Sequence, residues 1–205
     1  MKVYGHPGST CTRKVLFTLA EKGADFEFVL VDLAKGGQKA PEHVARQPFG
    51  VIPVFEDGDF SLYESRAIAR YLDAALPGPA LSPTDLKARG EMEQWISVEA
   101  SYFSPPAMKA VMNVWHASMT GAQPDPEVIA SGKAGAARAL DVLEKALVGR
   151  EYLAGDFSLA DISYAPYLQY LMDMGMGDIV TDRPNVAAWW ARLSARPAWQ
   201  KVIGK

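Results

Sequence analysis

Gln47-Pro48-Phe49-Gly50-Val51-Ile52-Pro53, taken with Tyr63-Glu64-Ser65-Arg66-Ala67-Ile68, decides the fold and outlines a ligand site. An Ile-Pro step between a loop and a strand is a place where a cis peptide can be held. The N–H and C=O of Ile52 are then expected to lack strand partners and to pair with an extended peptide ligand. Eleven residues after Pro53, Glu64-Ser65 opens an apolar-periodic helix carrying Ala67, Ile68, Tyr71 and Leu72. A Ser at that junction offers a hydroxyl, its own N–H and the helix dipole to a carboxylate. Glu64 can receive an ammonium.

A small peptide with a free amino-acid head at one end and a thiol in the middle fits this arrangement, and glutathione is such a molecule. The same two stretches resemble the glutathione site of the cytosolic glutathione transferases. Three further blocks resemble the phi class more narrowly. They are Gly5-His6-Pro7-Gly8-Ser9-Thr10-Cys11-Thr12-Arg13, Ser158-Leu159-Ala160-Asp161 and Arg196-Pro197-Ala198-Trp199. Spread from start to end, they carry the resemblance over nearly the whole chain.

Working outward, the element order is a strand (Lys2 to Gly5), a turn at Pro7-Gly8-Ser9, and a helix stopping at Gly23. A second strand, Phe26 to Val31, is followed by a polar, mobile stretch from Gly36 to Gln47 with at most a short helix. Asp57-Gly58 then signals a hairpin, and Glu64 to Leu76 a helix. This order reads as an α/β thioredoxin-like N-terminal domain with a mixed sheet, spanning 1–76. Residues 77–83, Pro77-Gly78-Pro79-Ala80-Leu81-Ser82-Pro83, form a linker where proline and glycine stop helix and ladder. Residues 84–205 read as an all-α C-terminal domain. Its first helical pattern runs from Thr84 towards Met119, with a bend expected at Pro105-Pro106. A later helix sets Leu140, Leu143 and Leu147 on one face. Ser158 with Asp161 reads as a capping box, a folding element without chemistry, in a helix that Pro166 should kink.

Composition narrows the function classes. The chain has 205 residues and 49% hydrophobic content, enough for a proper core. A net charge of -3 gives no electrostatic reason to expect nucleic acid. No apolar run approaches the roughly 18 residues that span a bilayer, and Met1-Lys2-Val3-Tyr4 lacks a secretory segment. One cysteine makes no internal disulfide, so the simplest location is the cytoplasm. His6, His43 and His116 are isolated and suggest no metal site.

Glutathione chemistry requires the thiolate, because the neutral thiol is a poor nucleophile. Ser9 is placed in the turn before the first helix, where its hydroxyl can donate to the sulfur and the helix start adds positive potential. The phi resemblance implies this catalytic role; the other reading of Ser9 is a plain N-cap. Tyr4, Thr10, Cys11 and Arg13 lie close by. Tyr4 reads as core. Cys11 reads either as a redox cysteine or as a small residue packed under the helix, and Arg13 either as support for the thiolate or as a solvated helix residue. The resemblance also implies that Lys39 contacts the glycine carboxylate, with Gln38 replacing a histidine common in the phi class. Val51 stands where glutamine is common, while Ile52 and Pro53 keep the backbone pairing. For the electrophile, Met108, Met112 and His116 share one helix face; the alternative is a core stripe. Tyr167 and Tyr170 are further candidates.

The resemblance implies a transferase that adds the glutathione thiolate to a small hydrophobic electrophile, with glutathione as co-substrate and no metal. Reduction of organic hydroperoxides at the same site is equally open. The competing readings are a non-catalytic binding protein for glutathione and apolar ligands, and an interaction module of the type fused to translation factors. A homodimer is implied as well. On that reading, Ile68, Tyr71 and Met92 meet across a two-fold axis, and opposite charges among Arg66, Arg70, Arg89 and Glu91 pair between chains. The alternative buries the apolar residues in the core.

Overall fold

The computed structural model describes residues 1–205, which divide into two compact units, Met1–Leu81 with Pro197–Lys205, and Ser82–Arg196. In the first, β1 (Lys2–Gly5) leads to α1 (Thr10–Lys22) and β2 (Glu27–Leu30). A short 3-10 turn (Gly37–Lys39) and α2 (Pro41–Val44) precede β3 (Val54–Asp57), β4 (Phe60–Tyr63) and α3 (Ser65–Ala75). The strands lie in the order β2-β1-β3-β4, with β1 parallel to β2 and antiparallel to β3, and β3 antiparallel to β4. Alternation along the strands and the 3.6-residue period of the helices bring Val3, Phe55, Val15, Leu19, Ile68 and Leu72 into one fully buried cluster. α1 stops where expected, at Gly23 in the left-handed region (φ 63). The Gly36–Gln47 stretch holds two short helical turns; before it Asp32 accepts from Ala34 and Lys35, and within it His43 is buried.

The register explains where a site can form. Tyr4 pairs with Val54, and Val54 with Tyr63, so the three strands are level at one end of the sheet. The turn to Ser9, the Ile52-Pro53 step and Glu64-Ser65 all leave from that end. Leu30, paired with Gly5, starts the excursion to Lys39 from the same end.

The second unit holds α4 (Leu86–Val98), α5 (Ser104–Thr120), α6 (Pro126–Ala146), α7 (Leu159–Asp173), α8 (Asp178–Thr181) and α9 (Pro184–Ser194). α7 is its buried centre, and Leu140, Leu143 and Leu147 are buried as their spacing predicts. No helix is long and apolar enough to cross a membrane.

Four expectations need correction. The segment after Arg196 forms α10 (Pro197–Ile203) and belongs to the first unit, because fully buried Trp199 packs on Phe17 of α1 with ring centroids 5.1 Å apart. The expected linker is pinned as far as Leu81. Lys22 and Asp73 form a buried ion pair (3.0 Å), Lys22 also donates to the Pro79 carbonyl, and Asp73 accepts from the Leu81 N–H. The pattern from Thr84 is not one continuous α-helix: a π-helical turn at Glu99–Phe103 interrupts it, and Pro105-Pro106 occupy the first turn of α5, where a missing N–H costs nothing. Ile68 and Met92 are fully buried, and Tyr71 stacks on Phe55 and Phe60 within its own chain. Ile68 and Met92 are core, Tyr71 is half-buried against it, and Glu91 pairs with Arg150 of the same chain.

Candidate active site

α1 begins on Ser9, which is extended (φ -81, ψ 128) and accepts the Thr12 N–H at 3.2 Å through Oγ. The N-cap and donor roles are compatible, since capping uses one lone pair and leaves the hydroxyl proton to donate. No acidic side chain in the first turn offsets the positive end of α1. Cys11 is half-buried on that turn, and Thr10 is buried. Arg13 reaches back to the turn, donating from Nε to the Pro7 carbonyl at 2.8 Å. Tyr4 is half-buried, not core. Its hydroxyl donates to Glu56 at 2.7 Å, and that bond holds its pKa above the ordinary tyrosine value. Its proton is therefore directed away from Ser9's role.

The loop from Gln47 is tied together by its own hydrogen bonds. Gln47 is buried, its Oε1 accepts the Phe49 N–H at 2.7 Å, and its carbonyl accepts the Gly50 N–H at 2.9 Å. Gly50 sits at φ +60, and a Cβ there would come within 2.8 Å of Lys39 Cδ. Glycine thus allows Lys39 to lie across the loop, where its ammonium donates to the Phe49 carbonyl at 3.1 Å and keeps further protons for an anion. Gln38, beside it, has a buried Oε1 without a hydrogen-bond partner.

Val51 is exposed, and its carbonyl accepts from Nε2 of buried His43 at 2.8 Å. This histidine escaped the reading of the sequence, which judged it only as a metal ligand; no local pattern signals a bond to a residue eight positions on. Ile52–Pro53 is cis, and β3 starts only at Val54, so Ile52 lies outside the ladder.

α3 begins differently from α1. Glu64 has φ 71 and ψ 106, and it is the only non-glycine residue with positive φ. Such a conformation costs roughly 1–3 kcal/mol and persists only where surroundings enforce it. Glu64 is exposed, and its side chain makes no cap on α3. Ser65, the first residue of α3, is buried.

The structure thus brings Ser9, Gln38, Lys39, Val51, Ile52, Pro53, Glu64 and Ser65 onto segments leaving one end of one sheet, with Cys11 and Arg13 on the adjoining turn of α1. The electrophile candidates lie in the second unit. On α5, Met108 is half-buried, Met112 is 45% exposed and His116 is exposed, so this face is not core. Exposed Trp115 and Met119 fall on the same stripe, since 3, 4 and 7 residue steps share a face; the sequence reading omitted both. Tyr170 is half-buried on α7, whereas Tyr167 is core, packed edge-on to Phe103. No group of three or more His, Cys, Asp or Glu side chains is placed to hold a metal.

A four-stranded mixed sheet with α1 and α3 packed on it, joined to an all-helical unit, is a thioredoxin-like domain with a helical C-terminal domain. Residues 1–74 match the glutathione S-transferase N-terminal domain family, and residues 126–192 match a glutathione S-transferase C-terminal domain family. The chain is 43% identical over 198 residues to glutathione S-transferase F10 of Arabidopsis thaliana, covering 95% of this chain and 92% of that one. Among solved structures, glutathione transferase F7 of Populus trichocarpa superposes with a TM-score of 0.93 at 39% identity, covering 99% of this chain and 97% of the other. Glutathione S-transferase I from mais, solved with an atrazine–glutathione conjugate, has a TM-score of 0.91 at 33% identity and covers 99% of this chain and 96% of its own. The chain belongs to the glutathione S-transferase family, and its relatives there are of the phi class.

Proposed function

We propose that this glutathione transferase binds glutathione at the level end of its sheet, and that Ser9 stabilises the thiolate that attacks a hydrophobic electrophile. The observation that supports the reading is the register, which levels the strand ends from which the Ser9 turn and the strained start of α3 both leave. Ser9 O–H would donate to the sulfur, and the positive end of α1 adds to that preference. Neither Ser9 nor Cys11 is the nucleophile; the sulfur of glutathione forms the new bond, and a group such as halide leaves. Glu64 serves the ligand's ammonium, Ser65 and the start of α3 its adjoining carboxylate, Ile52 its backbone, and Gln38 with Lys39 the carboxylate at its other end. Exposed Val51 leaves that edge apolar. The partly exposed stripe of Met108, Met112 and His116, with Tyr170, is proposed for the electrophile, since soft apolar side chains tolerate many shapes.

Residence in the cytoplasm belongs to the same proposal, because a single cysteine leaves the fold independent of an oxidising compartment. So does a homodimer, which rests on the phi resemblance and must use a surface other than buried Ile68 and Met92. Light scattering at micromolar concentration tests it: the mass of two chains is expected, and the mass of one would remove the dimer.

A panel of aryl halides, isothiocyanates and organic hydroperoxides, run with glutathione, tests the enzyme. Conjugation of at least one electrophile is expected, with loss of most of the rate in Ser9→Ala. Tight binding of glutathione with no turnover of any member would convert the reading to a non-catalytic binding protein.

A further inference from the structure

We infer that His6 positions Ser9, by serving as the acceptor on which the catalytic turn is hung. The inference rests on the role of Ser9 proposed above. Between β1 and α1 the chain reverses over His6-Pro7-Gly8-Ser9, and Pro7 has no N–H to help hold the turn. The three remaining N–H groups are all engaged: His6 N–H with Thr12 Oγ1 (3.4 Å), Gly8 N–H with His6 Nδ1 (3.1 Å), and Ser9 N–H with the His6 carbonyl (2.9 Å). Two of these bonds end on His6, on two different atoms. Any residue supplies the carbonyl, but only a side chain with an acceptor at that reach supplies the other.

The far side of the turn is equally fixed. Thr12 is fully buried against Gly5, where an added Cβ would come within 2.6 Å of its Cγ2. Thr12 N–H holds Ser9 Oγ at 3.2 Å, and Arg13 Nε holds the Pro7 carbonyl at 2.8 Å. Ser9 is therefore held on both sides, its Oγ by the first turn of α1 and its N–H by the His6 carbonyl. As an acceptor from Gly8, Nδ1 carries no proton, so the neutral ring carries it on Nε2. Removal of that acceptor loosens Pro7-Gly8 and leaves the N-cap bond intact. The direction of the Ser9 hydroxyl suffers, while Glu64, Ser65 and Lys39, on other segments, do not move. His6 touches no reacting atom in this scheme; it is a positioning residue.

The test compares the parent with His6→Leu, His6→Asn and Ser9→Ala. The readouts are kcat and KM for glutathione with an activated aryl chloride, and the ultraviolet absorbance of the bound thiolate at neutral pH. His6→Leu should lower kcat about tenfold, the scale of one weakened bond to an ionised group, with KM within about twofold and less bound thiolate. Asn bonds an N–H two residues on in the same way, so His6→Asn should restore most of both. Should His6→Leu not fold, His6→Ala replaces it under the same criteria. Parental kcat and thiolate in His6→Leu, with Ser9→Ala slowed, overturns the inference and spares the serine. Equal slowing in His6→Leu and His6→Asn also overturns it, because then the acceptor is not the cause. A fully active Ser9→Ala removes the reading beneath, and the inference with it.

Discussion

Two serines in this chain are helix N-caps, and they show how a helix start is used for folding or for chemistry. At α7, Ser158 is buried and closed on itself. Its Oγ accepts from Ala160 N and donates to Asp161, whose carboxylate also accepts from Ser158 N, Leu153 N and the Trp189 indole. Each of these donors has its acceptor inside the protein. At α1, Ser9 caps with one lone pair and keeps its proton, and at α3 the residue before buried Ser65 caps nothing and sits at φ 71. A closed start stabilises the fold. An open or strained start carries a cost in stability and is maintained where a ligand completes it.

The largest effect should come from breaking the closed start. Asp161→Ala leaves the Leu153, Ser158 and Trp189 donors buried without an acceptor, at roughly 1–3 kcal/mol each. We expect about 4 kcal/mol of lost stability, or a Tm lower by roughly 10 °C, with KM for glutathione unchanged at a temperature where the variant is folded. Calorimetry beside steady-state kinetics checks both halves.

A pH titration sharpens the same point. Burial raises the Asp161 pKa to about 6, against the hydrogen bonds that lower it. The folded state thus holds a proton that the unfolded state has released between roughly pH 4 and 6. Stability from this group is complete below the unfolded value and is lost as pH rises through about 6, a change of order 3 kcal/mol. Denaturant midpoints of the parent relative to Asp161→Asn should fall across that window; a constant difference would refute the raised value.

Ser9→Ala should do the reverse of Asp161→Ala. Rate should drop by about one to two decades through a lost bond of roughly 1.5–3 kcal/mol, while glutathione affinity stays and stability falls only by a cap's ~1 kcal/mol. Loss of activity in Cys11→Ala with Ser9→Ala intact would transfer the role to the cysteine.

The smallest stability effect, and the most telling contrast, belongs to Glu64. Glu64→Gln should weaken glutathione binding in calorimetry and leave the melting temperature alone, because the side chain caps nothing. Glu64→Gly should bind weakly and gain about 1 kcal/mol, since glycine accepts positive φ without strain. A destabilised glycine variant would show that the strain argument is wrong.

Local rules made much of this legible. The capping box, the Gly23 stop, the Asp57-Gly58 hairpin with Gly58 at φ +60, and the strand-helix order all depend on neighbours in sequence. Ile68 and Met92 were harder, because a helix pattern shows an apolar face but not what covers it. Nor does any local pattern tell that Trp199 returns to Phe17, that His43 holds Val51, or that His6 holds Gly8. The π turn at Glu99–Phe103 and the positive φ of Glu64 are backbone states set by packing, which residue type alone does not encode.

The central claim, that the start of α1 with its serine proton holds the ligand sulfur as an anion, has a direct measurement. The absorbance of the thiolate of bound glutathione is followed against pH in the parent and in Ser9→Ala. The account predicts an apparent thiol pKa at least about one unit below the free value of ~8.5 in the parent, returning towards ~8.5 in the variant. The same depressed value in both proteins would contradict it.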